Sequence, residues 1–191
     1  MKEGFQAFAD EWFTLESSTN DERNQLVPRR NSDLTIKKRL DRLTPENIFP
    51  GRKILSKTDA LCVLSALYDW YDFLDDSHKC SQEIKTMNGS FWHGIMHRRE
   101  PDYPNAKYWF QHVDHHPIYP VLAAKTTALK GAKTFLALRN DWDPFAFVDL
   151  CEQAVKTKNP MLDTFCRAVQ KTEFDLLLEH CWIASLGQTK T

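Results

Sequence analysis

Between Lys57 and Ile84 apolar side chains return every three or four residues, and this spacing constrains the fold more than any other feature of the chain. At about 100° per residue Leu61, Leu64, Tyr68 and Tyr71 fall on one stripe, which predicts a single long helix over 57–84. The same period recurs over 4–16, 36–43, 121–138 (with a break near Gly131), 145–156 and 161–185. Asn88-Gly89-Ser90 interrupts the pattern, and Asn88 or Ser90 can cap the helix that follows. That helix is expected to stop near Arg99, because Pro101 disfavours helical geometry at Glu100. Another is expected to start at Pro104, where proline suits a first turn, and to end at the His115-His116-Pro117 turn. No segment alternates as a strand does, and no internal repeat is visible. With only six glycines among 191 residues, a turn-rich β fold and a Gly-rich phosphate loop are both disfavoured. The expectation is an all-α, single-domain bundle of about seven helices over 1–191, with a polar basic linker near 17–35.

Charge narrows the partners. The net charge is −1, so nothing is globally matched to a polyanion. Residues 23–57 hold ten Lys/Arg against three Asp/Glu, and residues 59–76 hold five aspartates and no Lys/Arg. Without interleaved aromatics, these runs read as solvated or mutually packed faces, and no nucleic-acid partner is expected. The five cysteines form no CxxC pair, so a reducing, cytoplasmic setting is expected. No signal-peptide pattern opens the sequence, and no apolar run approaches the roughly 20 residues that span a bilayer, so no membrane partner is expected.

Chemistry-bearing residues are concentrated in residues 90–117, SFWHGIMHRREPDYPNAKYWFQHVDHHP, with five of the seven histidines and two of the six tryptophans. Such a density points to a ligand, a metal or a reacting bond. Continued along one helix, the Leu61–Tyr71 stripe reaches Asp75, His78 and Gln82, so a core-directed face turns polar. An inward carboxylate and imidazole require partners. His93 and His97, four apart, can supply them, and an i, i+4 histidine pair is also a common metal-binding geometry. Asp75, His78, His93 and His97 are therefore the candidate catalytic residues and the candidate ligands of a divalent transition metal. HxxxH alone is a weak signal, and the same imidazoles can instead form a buried hydrogen-bonded network with Asp75, Asp76 or Glu100.

Around them, Gln82, Arg98, Arg99, Glu100, Asn105, Lys107, Tyr108, Trp109 and His112 are the candidate ligand-binding residues. Arginine is suited to bidentate capture of carboxylate or phosphate, although a structural salt bridge is the commoner fate. Asn105, Tyr108, Trp109 and His112 share a face at i, i+3, i+4 and i+7, where a flat ligand can stack. No GxSxG elbow supports a serine nucleophile.

The segments DFLDDSHKCSQ (Asp72–Gln82) and WHGIMHRREPDYPNAKYWFQHVDHHP (Trp92–Pro117) resemble a family of small, uncharacterised bacterial and fungal proteins. Those pair an LDxSHxxSQ-like motif with an HxxMHRREPDxxNAKYWF-like motif. The matching positions are Leu74, Asp75, Ser77, His78, Ser81 and Gln82, then His93, Met96–Asp102 and Asn105–Phe110; EFDLLLEHCW (Glu173–Trp182) is also similar. The resemblance implies no activity, but it falls on Asp75, His78, His93 and His97.

Two readings follow. In the first, an internal His/Asp/Arg/aromatic pocket takes a small, anionic ligand and supports metal-dependent catalysis. In the alternative, the chain is a non-catalytic binding or interaction module and the polar cluster is a structural network.

Overall fold

The structure is a computed structural model describing residues 2–13, 24–28, 33–136 and 141–187. Among the described residues there are eleven helices and no strand, so the chain is all-α. The helices are α1 (Lys2–Phe13), α2 (Leu34–Leu40), α3 (Pro45–Ile48), α4 (Lys57–Trp70), α5 (Leu74–Ser81), α6 (Met87–Arg99), α7 (Tyr103–Phe110), α8 (Tyr119–Thr127), α9 (Ala132–Phe135), α10 (Pro144–Thr157) and α11 (Pro160–Ser185).

The expected count of about seven was low: two periodic stretches are each broken in two, and α3 is a short helix that no periodic stretch covers. The stretch over 57–84 is interrupted after Trp70, where Asp72 takes a left-handed φ of 64°. Aspartate tolerates this region better than most residues. The turn is held by a hydrogen bond from Phe73 N–H to the Tyr68 carbonyl at 2.9 Å and by an ion pair from the Asp72 carboxylate to Arg99 Nη2 at 2.6 Å. The stripe therefore does not run on from Tyr71 to Asp75, His78 and Gln82 on one helix. The stretch over 121–138 breaks at Gly131, whose φ of 99° no β-carbon favours. The N-cap of α6 is Thr86, whose hydroxyl accepts from Gly89 N–H, in place of Asn88 or Ser90.

α11, at 26 residues, is about 39 Å long and is the spine. α4, α8 and α10 pack along it. α6 lies among α4, α5 and α7 and is buried on every side from Gly89 to Arg99. The main core joins aromatic and aliphatic residues of α1, α4, α6, α7 and α11. A smaller cluster joins α10 to the first half of α11 and contains Leu26. Within the segment expected to be a polar basic linker, Leu26 is buried. It is 3% exposed, and Asn24 and Gln25 bond Arg167, Gln170 and Arg99. Residues 14–23 and 29–32 of that segment lie outside the described residues. The basic and acidic runs do meet, since Lys37 pairs with both Asp41 and Asp76.

Candidate functional site

α5 and α6 bring three imidazoles together. His78 lies one turn before the end of α5, and His93 and His97 lie on one face of α6. Each ring offers a nitrogen, and these atoms all lie within 4.8 Å of one another. Ring centroids are 4.6 Å apart for His78–His93, 4.7 Å for His93–His97 and 5.3 Å for His78–His97. His93 and His97 are buried and His78 is half-buried.

The hydrogen bonds assign the tautomers. Ser81 Oγ lies 2.9 Å from the Ser77 carbonyl and 2.9 Å from His93 Nδ1. A carbonyl only accepts, so the single hydroxyl proton points to Ser77, and His93 Nδ1–H donates to Ser81. His93 Nε2 is left bare. For His97, Nδ1 faces the Glu100 carboxylate at 3.2 Å, again an acceptor. Its Nε2 is therefore bare too, and receives a hydrogen bond from Asn105 Nδ2 at 3.1 Å. Both rings are poised as neutral lone-pair donors. Burial pushes the His93 imidazolium down to about 3, with the neighbouring His97 and His78 adding to the effect. Burial also lowers His97, with Glu100 opposing it.

Trp109 closes one side, its ring 4.0 Å from that of His93. Beyond it Tyr108 and His112 continue outward, with centroids 4.8 Å apart; both are exposed. The predicted aromatic face of α7 thus splits by role. Asn105 and Trp109 touch the histidines, while Tyr108 and His112 form an outer aromatic ledge.

Other expected site residues sit elsewhere. Asp75 is exposed and does not converge with the imidazoles; it borders a separate cleft of about 500 Å³ with Asp72, Phe73, Arg99 and Glu100. Asp75 lies in the first turn of α5, three residues before His78, and its side chain is exposed. Gln82 is exposed at the C-cap of α5. Arg98 and Arg99 are not placed to hold an anionic ligand. Arg98 makes a buried bidentate pair with Glu173 of α11, and Arg99 pairs with Asp69 at 3.2 Å and with Asp72. Lys107 is tied to Asp149 at 2.5 Å. Ser81 was not among the expected site residues; its position one turn after His78 was the available sign that it faces the same cluster.

The geometry can hold one divalent cation. Tetrahedral Zn–N bonds of about 2.0–2.1 Å bring ligand nitrogens to about 3.4 Å of each other, so closure from the observed spacing needs only small ring rotations. Ser81 and Glu100, which bond His93 and His97, would be the outer partners orienting the imidazoles if an ion were held there. Comparison with family models, with curated proteins and with solved structures returned no match. No helix among the described residues is long and apolar enough to cross a membrane.

Proposed function

We propose that the chain is a metal-dependent enzyme in which His78, His93 and His97 hold one divalent transition-metal ion, and that it carries out hydrolysis or hydration of a small molecule. The observation that supports this most is the pair of unprotonated Nε2 atoms on His93 and His97, each with its Nδ1–H committed to a neighbour, beside His78. Three protein ligands with one position left for water is the pattern of catalytic sites rather than structural ones. When bound, such an ion lowers the pKa of water to about 7 and polarises an oxygen of the substrate. Asn105 stands where it can release His97 Nε2 and turn its carboxamide to a bound group. The ledge of Trp109, Tyr108 and His112 suits a planar substrate. Arg98, Arg99 and Lys107 are each paired with carboxylates of the chain, so this reading assigns them no part in substrate binding. All five cysteines remain thiols, which fits a cytoplasmic setting.

A second reading is favoured by the same hydrogen bonds: without an ion the cluster is already partnered by Ser81, Glu100 and Asn105, as a structural network must be. Metal analysis separates the two. Protein purified without a metal-binding tag is loaded with zinc, desalted and measured by elemental mass spectrometry, beside His93→Ala and His97→Ala. The catalytic reading expects one equivalent of ion fewer in both variants than in the wild type, with far-UV dichroism unchanged. An undiminished ion content in both variants, or no bound ion in the wild type together with several kcal/mol of lost stability in the variants, would leave only the structural network.

A further inference from the structure

A second group of ligand-type side chains lies against a different face of α6. Asp59 and Cys62 are three apart on α4 and so share a face; Cys181 reaches them from α11. A carboxylate oxygen and the two sulfurs all lie within 4.8 Å of one another. Cys62 and Cys181 are fully buried, and Asp59 is half-buried. Nothing in the sequence marks this group, because Cys62 and Cys181 are far apart in the chain.

What distinguishes it from a pair of buried thiols is the shell around it. The Ile118 backbone N–H donates to His116 Nδ1 at 3.3 Å, so the ring proton is on Nε2. That N–H donates to Asn88 Oδ1 at 2.7 Å, which turns the Asn88 amide nitrogen toward Asp59 Oδ1 at 2.6 Å. Three hydrogen bonds in series therefore fix the Asp59 carboxylate. On the sulfur side the Trp92 indole N–H donates to Cys181 Sγ at 3.4 Å. Oriented carboxylates and N–H donors to sulfur are the outer-shell devices of metal sites. Asn88 and Trp92 share one face of α6, about 100° around the helix from His93 and His97.

We propose that Asp59, Cys62 and Cys181 form a second metal site, which takes a thiophilic divalent ion of the zinc type and is independent of the histidine cluster. Two thiolates and an imidazole or carboxylate select zinc over harder ions. Binding releases the two thiol protons to solvent, M²⁺ + 2 RSH → M(SR)₂ + 2 H⁺, with no change of oxidation state. Three protein ligands would leave a fourth position for water. The ion ties α4 to α11 beside the start of α6.

The test is cobalt(II) titration of the full chain under reducing conditions, read by absorbance. A near-ultraviolet thiolate-to-cobalt charge-transfer band is expected at one equivalent. It should persist in His93→Ala/His97→Ala and in Cys151→Ala, and vanish in Cys62→Ala and Cys181→Ala. Asp59→Asn, at a half-exposed position that leaves the core intact, should retain the band but weaken the apparent affinity at least tenfold. No charge-transfer band in the wild type, a band unchanged in Cys62→Ala, or an unaltered affinity in Asp59→Asn overturns the site. Because the histidine cluster contributes no thiolate, its own failure to bind leaves this band untouched, and the reverse also holds.

Discussion

Glu173→Gln should be among the most destabilising isosteric changes available in this chain. The two side chains of the Arg98–Glu173 pair are 1% and 0% exposed. Arg98 Nη1 lies 3.3 Å from one carboxylate oxygen, and Nη2 bonds the other. The guanidinium is otherwise walled by aromatic rings, with Phe147 at 4.5 Å and Phe110 at 6.0 Å. Burial pushes the Glu173 carboxyl up, and the Arg98 charge opposes it. Neutralising Glu173 leaves a desolvated cation without a counter-charge. Breaking one side of such a pair costs about 3–5 kcal/mol, a large part of the roughly 5–15 kcal/mol that holds a domain folded. Removing both charges, in Arg98→Met/Glu173→Leu, abolishes both desolvation costs and should return stability to within about 1 kcal/mol of the wild type. Urea unfolding at pH 7 with EDTA, followed by tryptophan fluorescence and far-UV dichroism, measures Glu173→Gln and the four corners of the cycle: wild type, Arg98→Met, Glu173→Leu and the double variant. A loss below about 1 kcal/mol in Glu173→Gln, or single losses that simply add in the double variant, refutes the claim that the pair is desolvated and coupled.

Three further outcomes can be checked. His116 is held to about 3 by burial, with His180 adding to the effect; an unfolded histidine takes its proton near 6.5, so stability is full above that pH and is lost as pH falls toward 3. Between pH 7 and pH 4.5 the wild type should lose about 2–3 kcal/mol more than His116→Gln; equal slopes in urea titrations at the two pH values contradict this. A β-carbon at Gly94 meets the Phe110 ring at 3.0 Å, so Gly94→Val should cost about 2 kcal/mol by overpacking and push α7 away from the histidines; an unchanged midpoint in thermal unfolding refutes the close approach. Ser81→Ala removes the acceptor that holds His93 Nδ1–H, and zinc affinity at the histidine site should fall roughly 10–100-fold; isothermal titration giving the same affinity dismisses Ser81 as a positioning residue.

How far the sequence revealed this depends on the range of the interaction. The pair His93/His97 was legible because an i, i+4 spacing is a property of one helix. His78 was also found, although the projection that led to it assumed a continuous helix through Asp72. That assumption failed, because the break at Asp72 is stabilised by Arg99, 27 residues away, and no local propensity encodes it. The same range problem hid the fate of Arg98, whose partner Glu173 is 75 residues distant. Cys62 and Cys181 were equally invisible as a pair. Leu26 reads as an isolated apolar residue in a polar run, and only the packing of α10 on α11 gives it a place to be buried.

One helix accounts for most of these long-range partnerships. A helix buried all round is ordinarily apolar all round, yet α6 carries His93, His97, Arg98 and Arg99 within its buried span. The four are answered from four elements, His93 by Ser81 on α5, His97 by Asn105 on α7, Arg98 by Glu173 on α11 and Arg99 by Asp69 on α4, and the Trp92 indole donates to Cys181 on α11. Apolar packing alone would hold α6 in place but would tolerate small slides along its neighbours, whereas each of these contacts is lost by a shift of about 1 Å. Their cost in desolvation is therefore matched by a fixed register between α5 and α6, on which three convergent imidazoles depend. This separates position from stability. Arg98→Met/Glu173→Leu should fold as well as the wild type and still bind cobalt at the histidine site more weakly. If its affinity is unchanged, the buried ion pair has no part in holding that geometry, and the packing of Phe91, Trp92 and Ile95 is sufficient.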